Sequence, residues 1–356
     1  MLLRMRMRFL TPVMLGVVLA APPAPAHAAV TLRGLFVLDE HPRSLWLDRY
    51  TEARQGPEQV EKISQTIKVG DGAVLDLSHL AGDVRVTGGG GNEIKIEAIK
   101  RVRHRDASEA KRLLDLLRVD INNYNGRVEV RTIYPRRQSG RTNNFSGSVD
   151  YVITVPAAAA VALKSVSGDL TVSNVRGEVR AEAVSGAVNV TNTPNVSVAK
   201  TVSGDVTARD IGTETALVLG TVSGSVIATG LKVRSLEAGS VSGDVRVSGS
   251  QIERLEGSTV SGNIEFDAPL AKGGRYEFTS HSGNVRVVLS GNTGFELDAD
   301  TFSGSVRSDV PVTLRSVGRT ERERRGSNRA IRGTYGDASA ILSVRSHSGS
   351  VVITKK

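Results

Sequence analysis

The chain has 356 residues, with 37 glycines, 4% aromatic residues and no cysteine. So many glycines and so few aromatic side chains are unusual for a globular enzyme of this length and indicate an elongated, repetitive protein. The formal net charge of +9 is mildly basic, and the lack of cysteine excludes a disulfide framework and lipid attachment, so stability must come from backbone pairing and burial.

Residues 1–28 form a separate unit. Three arginines precede an apolar stretch from Phe9 to Ala21, and Ala26 and Ala28 then give the A-x-A arrangement that signal peptidases cleave. The apolar stretch is too short to span a bilayer, and Pro12 interrupts it. We therefore predict a signal peptide and an exported protein, located in the periplasm, at the cell surface or outside the cell.

The next part of the chain is predicted to lead into a repeat structure. Residues 29–66 are expected to form an extended segment with little regular structure. Residues 67–160 are expected to be the N-terminal part of the repeat region, with a repeat-like turn at Gly82. The four glycines that begin at Gly88 are followed by a strand pattern and not by a helix, so we predict a turn there and not a phosphate cradle.

One amphipathic helix is predicted at about 107–117. Asp106 is placed as its N-cap and Glu109 stands three residues further on, as in a capping box. We expect this helix to cover an open end or edge of the repeat structure, because bare strand edges invite aggregation. The segment after the helix has the pattern of a β-hairpin.

Residues 161–356 are predicted to form the main repeat region, built on the motif V-S-G-D-V. The glycine of each Ser-Gly pair recurs every 18–21 residues up to Gly304, and the last follows after a gap of 45 residues. A fixed period near twenty is typical of a solenoid, in which each coil must stack on its neighbours. These glycines are Gly147, Gly168, Gly186, Gly204, Gly224, Gly243, Gly262, Gly283, Gly304 and Gly349.

The residues around each glycine indicate strands. An aliphatic residue stands two positions after every glycine, as in Val206 and Val245. The residue four positions after the glycine is apolar in most repeats. This period of two with β-branched residues predicts an all-β, single-stranded β-solenoid similar to a parallel β-helix, with coils of about 18–21 residues. Glycine would be needed at each corner, where the chain bends and no Cβ fits against the adjacent coils.

The residue after each glycine should form a further column. No two aspartates are consecutive between Asp169 and Ser305. Carboxylates stacked about 4.8 Å apart would repel by roughly 1 kcal/mol even in water, so this alternation favours in-register stacking.

No catalytic, cofactor-binding or metal-binding constellation is found in the sequence. There is no cysteine nucleophile and no G-x-S-x-G elbow, and the aspartates are too sparse for a calcium-binding β-roll. His281 and His347 replace the valine before Ser-Gly in two repeats. Two alternatives stay open for them: a shared ligand between neighbouring coils, or simple stacking of the imidazoles at the corner.

Arginine is concentrated between about 315 and 333. Gly and Ser in this segment predict a loop outside the stack, where binding groups tend to lie. Several arginines together can grip a phosphate-bearing polymer, so we expect contact with an anionic envelope polymer or surface component and no specific nucleic acid. These residues are Arg319, Arg322, Arg324, Arg325, Arg329 and Arg332.

The order of the motifs resembles the bacterial putative-adhesin family, a domain family of unknown function with repeated V-S-G-D-V units in exported or envelope proteins. The resemblance runs from "GPEQVEKISQTIKVGDGAVLDLSHLAGDVRVTGG" through "GNEIKIEAIKR" to "YGDASAILSVRSHSGSVVI" and covers most of the chain after residue 56. It implies a β-solenoid with an adhesive or scaffolding role at the cell envelope, and it implies no catalytic residues.

The function predicted from the sequence is therefore non-enzymatic binding, adhesion or scaffolding at the bacterial cell envelope. A polysaccharide-active parallel β-helix enzyme is the first alternative, although Trp46 is the sole tryptophan and the outward carboxylates look scattered. Assembly into filaments through the ends of the solenoid is the second alternative, because solenoid ends associate unless they are covered.

Overall fold

The computed structural model describes residues 57–70, 72–135, 146–314 and 329–356. The predicted signal peptide and residues 29–56 lie outside the described residues. The prediction of little regular structure up to residue 66 is wrong for its end, because strand β1 already begins at Glu58. No helix in the described ranges is long and apolar enough to cross a membrane.

The N-terminal part contains the single α-helix of the described residues. Its elements are β1 (Glu58–Lys68), β2 (Val74–Ala81), β3 (Val84–Gly89), β4 (Glu93–Arg103), α1 (Ala107–Leu116), β5 (Arg118–Tyr124), β6 (Arg127–Ile133) and β7 (Ser146–Pro156).

Each following coil contributes one strand before its corner glycine and one after it. The strands are β8 (Ala160–Ser167), β9 (Leu170–Ser173), β10 (Val179–Ser185), β11 (Val188–Thr191), β12 (Val196–Lys200), β13 (Val206–Arg209), β14 (Gly212–Ser223), β15 (Val226–Thr229), β16 (Lys232–Ser242), β17 (Val245–Ser248), β18 (Gln251–Ser261), β19 (Ile264–Ala268), β20 (Arg275–Ser282) and β21 (Val285–Leu289). The chain ends with β22 (Phe295–Ser303), β23 (Val306–Ser308), β24 (Thr313–Leu314), β25 (Arg329–Tyr335), β26 (Ala340–Ser348) and β27 (Val351–Lys355).

The strands form two sheets that run along the solenoid. Sheet A, which holds the strands after the glycines, has the order β1-β4-β7-β3-β9-β11-β13-β15-β17-β19-β21-β27-β23. Sheet B, which holds the strands before them, has the order β24-β25-β22-β26-β20-β18-β16-β14-β12-β10-β8-β2-β6-β5. From coil to coil the pairing is parallel and joins equivalent residues, as in Val206↔Val226↔Val245.

The hydrophobic core lies between the two sheets. The residues two and four positions after the glycines are buried almost throughout, for example Val245 and Val247. From sheet B, the residue five positions before each glycine faces them, such as Leu219 and Ala238, both buried. The predicted all-β solenoid of stacked coils with one amphipathic helix is thus confirmed.

The corner glycines are in unusually close contact. A Cβ built on Gly204 would come closer than 3.0 Å to the carbonyl oxygen of Gly186, and the same clash with the adjacent coil recurs at every corner of the stack. The backbone reaches positive φ only at some corners, such as Gly168 at 116° and Gly204 at 142°. The shared reason for glycine is therefore the lack of space for a Cβ.

A ladder of buried hydroxyl groups connects consecutive corners. The hydroxyl three positions before the glycine donates to the glycine carbonyl of the adjacent coil, as in Thr221 Oγ1 to Gly204 O at 2.8 Å. The same bond is made by Thr201, Ser240, Thr259, Ser280, Thr301 and Ser346. Two coils break the ladder: Ser165 donates to Ser167 O instead of to the adjacent glycine carbonyl, and Ala183 has no hydroxyl.

The coils at the C-terminal end do not stack in chain order. β27 lies between β21 and β23, and β26 lies between β20 and β22. Accordingly, Ser346 donates to Gly283 O, while Thr301 donates to Gly349 O. The last coil of the chain is inserted between the two coils that precede it, which accounts for the gap of 45 residues between Gly304 and Gly349.

The N-terminal end also departs from the sequence pattern. Gly147 is not a corner glycine, because it lies inside β7 and pairs with Val102 of the antiparallel strand β4. A Cβ built on Gly82 would therefore meet the carbonyl oxygen of Val149 in β7, and not the carbonyl oxygen of another corner glycine. β7 separates β3 from β4, so the four-glycine turn connects two strands that are not neighbours.

The column after the glycines is a hydrogen-bond ladder. Asp169 Oδ1 accepts from the backbone N–H of Ala187 in the next coil at 2.8 Å, and Asp205 Oδ1 accepts from Ser225 N–H. Asp83 lies directly below Asp169 and accepts its N–H. The interpretation that carboxylate repulsion keeps aspartates apart is therefore wrong at this end, where each carboxylate accepts an N–H bond.

Helix α1 covers the N-terminal end of the core. The Asp106 side chain caps it by accepting from Ser108 N–H at 2.8 Å, whereas Glu109 pairs with Arg112 and does not complete a capping box. Leu113 and Leu114 are buried against the core. At the other helix end, the buried Lys100 Nζ donates to Leu117 O at 3.0 Å and pairs with Glu61, so β1 and β4 anchor the helix.

A valine at a corner should be much more destabilising than a valine on the outer face. We expect Gly204→Val to cost on the order of a few kcal/mol, because the Cβ meets the Gly186 carbonyl and the positive φ is strained. Thr207→Val, three residues away on the outer face of β13, should change the free energy of unfolding by less than about 0.5 kcal/mol. Urea unfolding followed by circular dichroism measures both, and equal losses would contradict the stacking.

The break in the hydroxyl ladder at Ala183 can be repaired. Ala183→Ser should place a donor near Gly168 O and stabilise the protein by about 0.5–1.5 kcal/mol, the usual net value of one hydrogen bond. Thr201→Val is the converse control, since it removes the donor to Gly186 O and keeps the side-chain shape. A loss in Thr201→Val without a gain in Ala183→Ser would mean that the corner at Ala183 differs from the others.

Candidate functional site: an exposed apolar ridge

The approach of each strand to its corner places one apolar side chain in solvent. In β16, Leu236, Ala238 and Ser240 are buried, and the alternate residues Glu237 and Val241 point outwards. Equivalent residues of adjacent coils are paired, so the outward side chain before each Ser-Gly pair joins a single column.

We call seven consecutive members of this column the apolar ridge. Their side chains are 42–49% exposed, although each is a large aliphatic residue. Contiguous apolar surface of this kind is unusual on a monomeric soluble protein and marks interaction sites. The apolar ridge consists of Leu80, Val166, Val184, Val202, Val222, Val241 and Val260.

Aromatic rings continue the column beyond Val260. The imidazoles of His281 and His347 are stacked with their centroids 4.8 Å apart, and Phe302 stacks on His347 at 4.9 Å. Of the two alternatives for the histidines, the structure shows stacking. No group of three or more metal-ligating side chains occurs in the described part of the chain.

Polar columns flank the apolar ridge on both sides. On the sheet B side, two positions before the ridge residue, Lys164, Glu182 and Lys200 are followed by small residues such as Gly220 and Gly239. On the sheet A side, three positions after the ridge residue, the column reads Asp169, Ala187, Asp205, Ser225 and Asp244. The ridge is therefore a narrow apolar strip between hydrogen-bonding edges.

The outer face of sheet B carries a column of acids. Glu237, Glu256 and Glu277 are paired rung by rung, and Arg254 and Arg275 stand beside them in the next outward column. These side chains line a cleft of about 240 Å³. The interpretation that outward carboxylates are scattered is wrong here, because stacking aligns residues that are far apart in sequence.

Two further clefts lie at the four-glycine turn. One of about 430 Å³ is lined by Lys68 and Lys95 among others, and one of about 240 Å³ is lined by Arg176. Glu93 also faces the larger cleft, and strands and not a helix flank the turn. The clefts therefore lack the helix N-terminus that a phosphate cradle uses.

The most strongly perturbed titratable groups form a buried network near the first corner. His79 Nε2 lies 3.1 Å from Gly82 O, and His79 Nδ1 lies 3.2 Å from Thr132 Oγ1, which contacts the Tyr151 hydroxyl at 2.7 Å. These partners fit a neutral imidazole that carries its proton on Nε2. The His79 ring also meets Tyr151 edge to face.

Burial governs the pKa values of this network. It lowers the pKa of His79 to about 4 and raises the pKa of Tyr151 to about 12. The pKa of Tyr134, whose hydroxyl bonds to Ala81 O, is also raised to about 12 by burial. Since His79 is only 5% exposed and its bonds are all internal, we interpret the network as structural and not catalytic.

The predicted arginine site is only partly visible. Arg319, Arg322, Arg324 and Arg325 lie outside the described residues, and the side chain of Arg329 does as well. Arg332 belongs to β25, at the C-terminal end of sheet B, where its Nε donates to Asp298 Oδ1 at 2.9 Å. The predicted corner glycines from Gly168 to Gly349, by contrast, all lie in the corner column.

The apolar ridge was missed in the sequence, where V-S-G was interpreted as a turn motif. The alternation of inward and outward residues in the strand before the corner could have revealed it. Leu163 and Ser165 are two positions apart and face inwards, so Val166, next to Ser165, must face outwards. The presence of valine at an outward position in repeat after repeat distinguishes a surface column from a turn.

The sequence profile described as Toastrack DUF4097 matches residues 74–354. The chain belongs to this Toastrack family. The match begins at β2 and ends inside β27, so it covers the whole stack of coils.

The solved structures that match this chain are very distant from it. A "putative cell adhesion protein" from Clostridium sporogenes is 14% identical, with 83% of this chain and all of that chain covered and a TM-score of 0.19. A "putative adhesin" from Bacteroides fragilis is 11% identical over 82% and 97% of the chains, with a TM-score of 0.40. A "putative lipid binding protein" from Parabacteroides distasonis is 12% identical over 83% and 97%, with a TM-score of 0.34. A comparison with curated proteins finds no match.

The His79 network predicts a loss of stability in mild acid. Because the pKa of His79 is about 4 in the folded protein and 6.5 in the unfolded chain, the unfolded chain binds more protons between these values. The contribution of His79 is complete above pH 6.5 and falls by up to about 3 kcal/mol as the pH drops to 4. Unfolding of wild type and His79→Gln from pH 7.5 to 4 measures it. Parallel pH profiles for the two proteins would contradict the assignment.

Proposed function

We propose that this Toastrack protein is a non-enzymatic binding and scaffolding solenoid of the bacterial cell envelope. The observation that carries the proposal is the apolar ridge, a regular apolar strip that the fold keeps in solvent over seven coils. The signal-peptide pattern supports export, and the repeated Ser-Gly motif builds the long regular stack that a scaffold needs.

The rigidity of the stack supports a scaffolding role. The repeat coils are held by parallel strand pairing in both sheets, and most of them also by a bond of the corner hydroxyl ladder or of the Asp or Asn ladder. Side chains on such a stack keep a constant spacing along the solenoid, so the structure can present the same chemical group many times to a long partner.

An anionic envelope polymer is the partner class that we propose for the arginine-rich segment. β24 ends at Leu314 and β25 begins at Arg329, so the segment leaves from and returns to the C-terminal edge of sheet B. On the outer face of sheet A near this end, Arg286 and Arg307 occupy the same column, with Val352 between them. Both are exposed and would extend a basic contact surface.

A polysaccharide-active enzyme is the second candidate, and one observation favours it. Glu237, Glu256 and Glu277 stand beside Arg254 and Arg275 in one cleft, which is the pairing of carboxylates with basic groups that such sites need. The cleft lacks an aromatic platform among its lining residues. Incubation with acidic and neutral polysaccharides decides the matter: new reducing ends that disappear in Glu256→Gln would overturn the non-enzymatic proposal.

Binding to anionic polymer should depend on the arginines and on salt. We expect the protein to bind long-chain polyphosphate and isolated envelope fractions, and to bind them less tightly at physiological than at low salt, because screening weakens exposed charge contacts. Changing Arg319, Arg322, Arg324 and Arg325 to Gln should abolish binding in a pull-down assay, with the melting temperature unchanged. Arg332 is kept, since it bonds Asp298.

A charge-matched variant separates a specific contact from general attraction. Changing the four exposed arginines Arg118, Arg131, Arg180 and Arg234 to Gln removes the same charge elsewhere on the solenoid. This control should retain binding. Equal losses in the two variants, or binding indifferent to salt, would contradict an anion contact at the arginine-rich segment.

A further inference from the structure

We propose that the apolar ridge is a dimer interface at which two copies of this chain pack ridge against ridge with their solenoid axes parallel. The proposal deepens the proposed binding function, because it names the occupant of the ridge. It also differs from assembly through the solenoid ends, since the contact runs along the flank.

A second copy of this chain has the same distance between successive ridge residues, so its ridge matches this one along the whole length. The ridge residues of adjacent coils are separated by one strand spacing, about 4.8 Å, and an identical solenoid repeats this spacing without drift. A 180° rotation about an axis parallel to the solenoid sets each rung opposite its own equivalent. Val222 of one copy then meets Val222 of the other, and the same holds at every coil.

The flanking columns are complementary in this arrangement. The rotation brings the sheet A side of one copy against the sheet B side of the other at the same height. Lys164 therefore faces the Asp169 of the second copy, and Lys200 faces its Asp205. Neither lysine has an ion pair within the described ranges, so both are available. Each aspartate uses Oδ1 for a backbone N–H, which leaves Oδ2 for the lysine.

The remaining coils are compatible with close contact. Glu182 faces the neutral Ala187 of the second copy, so no carboxylate pair arises there. Gly220 and Gly239 face Ser225 and Asp244, and the missing side chains let the backbones approach. An antiparallel dimer centred on the ten-rung column would bring Lys164 against Arg345, so the charges favour the parallel arrangement.

The ridge and its flanking columns set the size of the dimer interface. Ten rungs from Leu80 to Phe302 span about 43 Å, and five residues at about 3.4 Å each make the strip at most about 17 Å wide, because the chain bends at the corner glycine. The product sets an upper limit of roughly 700 Å² per copy, compared with the ~800 Å² per partner of a standard interface. In the monomer this strip is exposed, so burying it removes apolar surface from water.

The first test measures mass against concentration. Sedimentation equilibrium of the purified protein should show a reversible monomer–dimer equilibrium. Val202→Lys with Val241→Lys should weaken the dimer by more than about 30-fold, the loss expected from interface hot spots. Because both residues are exposed in the monomer, the melting temperature of the monomer should hold. Val152→Lys, at an exposed valine outside the ridge, is the control and should dimerise normally.

The second test fixes the arrangement and uses the absence of native cysteine. Val166→Cys and Val260→Cys, made separately, should each form a disulfide-linked dimer on mild oxidation, because each rung meets its equivalent. An antiparallel pair could link at no more than one of them. Val152→Cys should stay monomeric on a non-reducing gel.

The outcomes separate this inference from the proposed function. A protein that stays monomeric, or a dimer unaffected by the ridge lysines, would overturn the dimer and show that another occupant covers the ridge, such as the segment before residue 57 or an apolar partner. If such a monomer still binds envelope material, the proposed function stands. If the protein forms the ridge dimer but cleaves polysaccharide, the dimer stands and the proposed non-enzymatic function fails.

Discussion

At every corner of the stack, the α-carbon of one glycine lies directly over the carbonyl of the adjacent coil, at a distance that leaves no room for a Cβ. This contact sets the position of each coil relative to its neighbour. It brings the Ser or Thr hydroxyl within reach of the glycine carbonyl and the following Asp or Asn within reach of the next N–H. The parallel sheets and the continuous core both depend on this register, because a slip of one residue would turn the buried valines outwards.

The same constraint creates the surface on which function is proposed. Since the residues five and three positions before each glycine must face inwards, the residue two positions before it must face solvent. Each repeat that supplies a corner glycine therefore also supplies an outward valine in most coils. Stacking of the coils brings these single exposed residues together as the apolar ridge. Single exposed apolar residues are ordinary on protein surfaces, whereas a continuous column of them is not.

Much of the fold could be predicted from the sequence, because the period and the alternation around Ser-Gly are local signals. Val245 and Val247 face inwards as their pattern indicates, and Asp106 caps the helix. The order of the coils could not be predicted, because Gly349 and Gly304 have the same local motif and only the tertiary pairing places β27 between β21 and β23. Gly147 was misplaced for the same reason. The acid column of Glu237, Glu256 and Glu277 also required the register, since these residues lie about twenty positions apart.

The inserted coil offers the most direct test of in-register stacking. Ring stacking places His347 between His281 and Phe302. Neighbouring strands lie about 4.8 Å apart, within the Cα separation that a disulfide tolerates, and the next strand but one is out of reach. In a chain without native cysteine, we would measure disulfide formation in two double variants by mass spectrometry. His281→Cys with His347→Cys should cross-link readily, and His281→Cys with Phe302→Cys should not. The reverse result would show that the coils stack in chain order and would contradict the account.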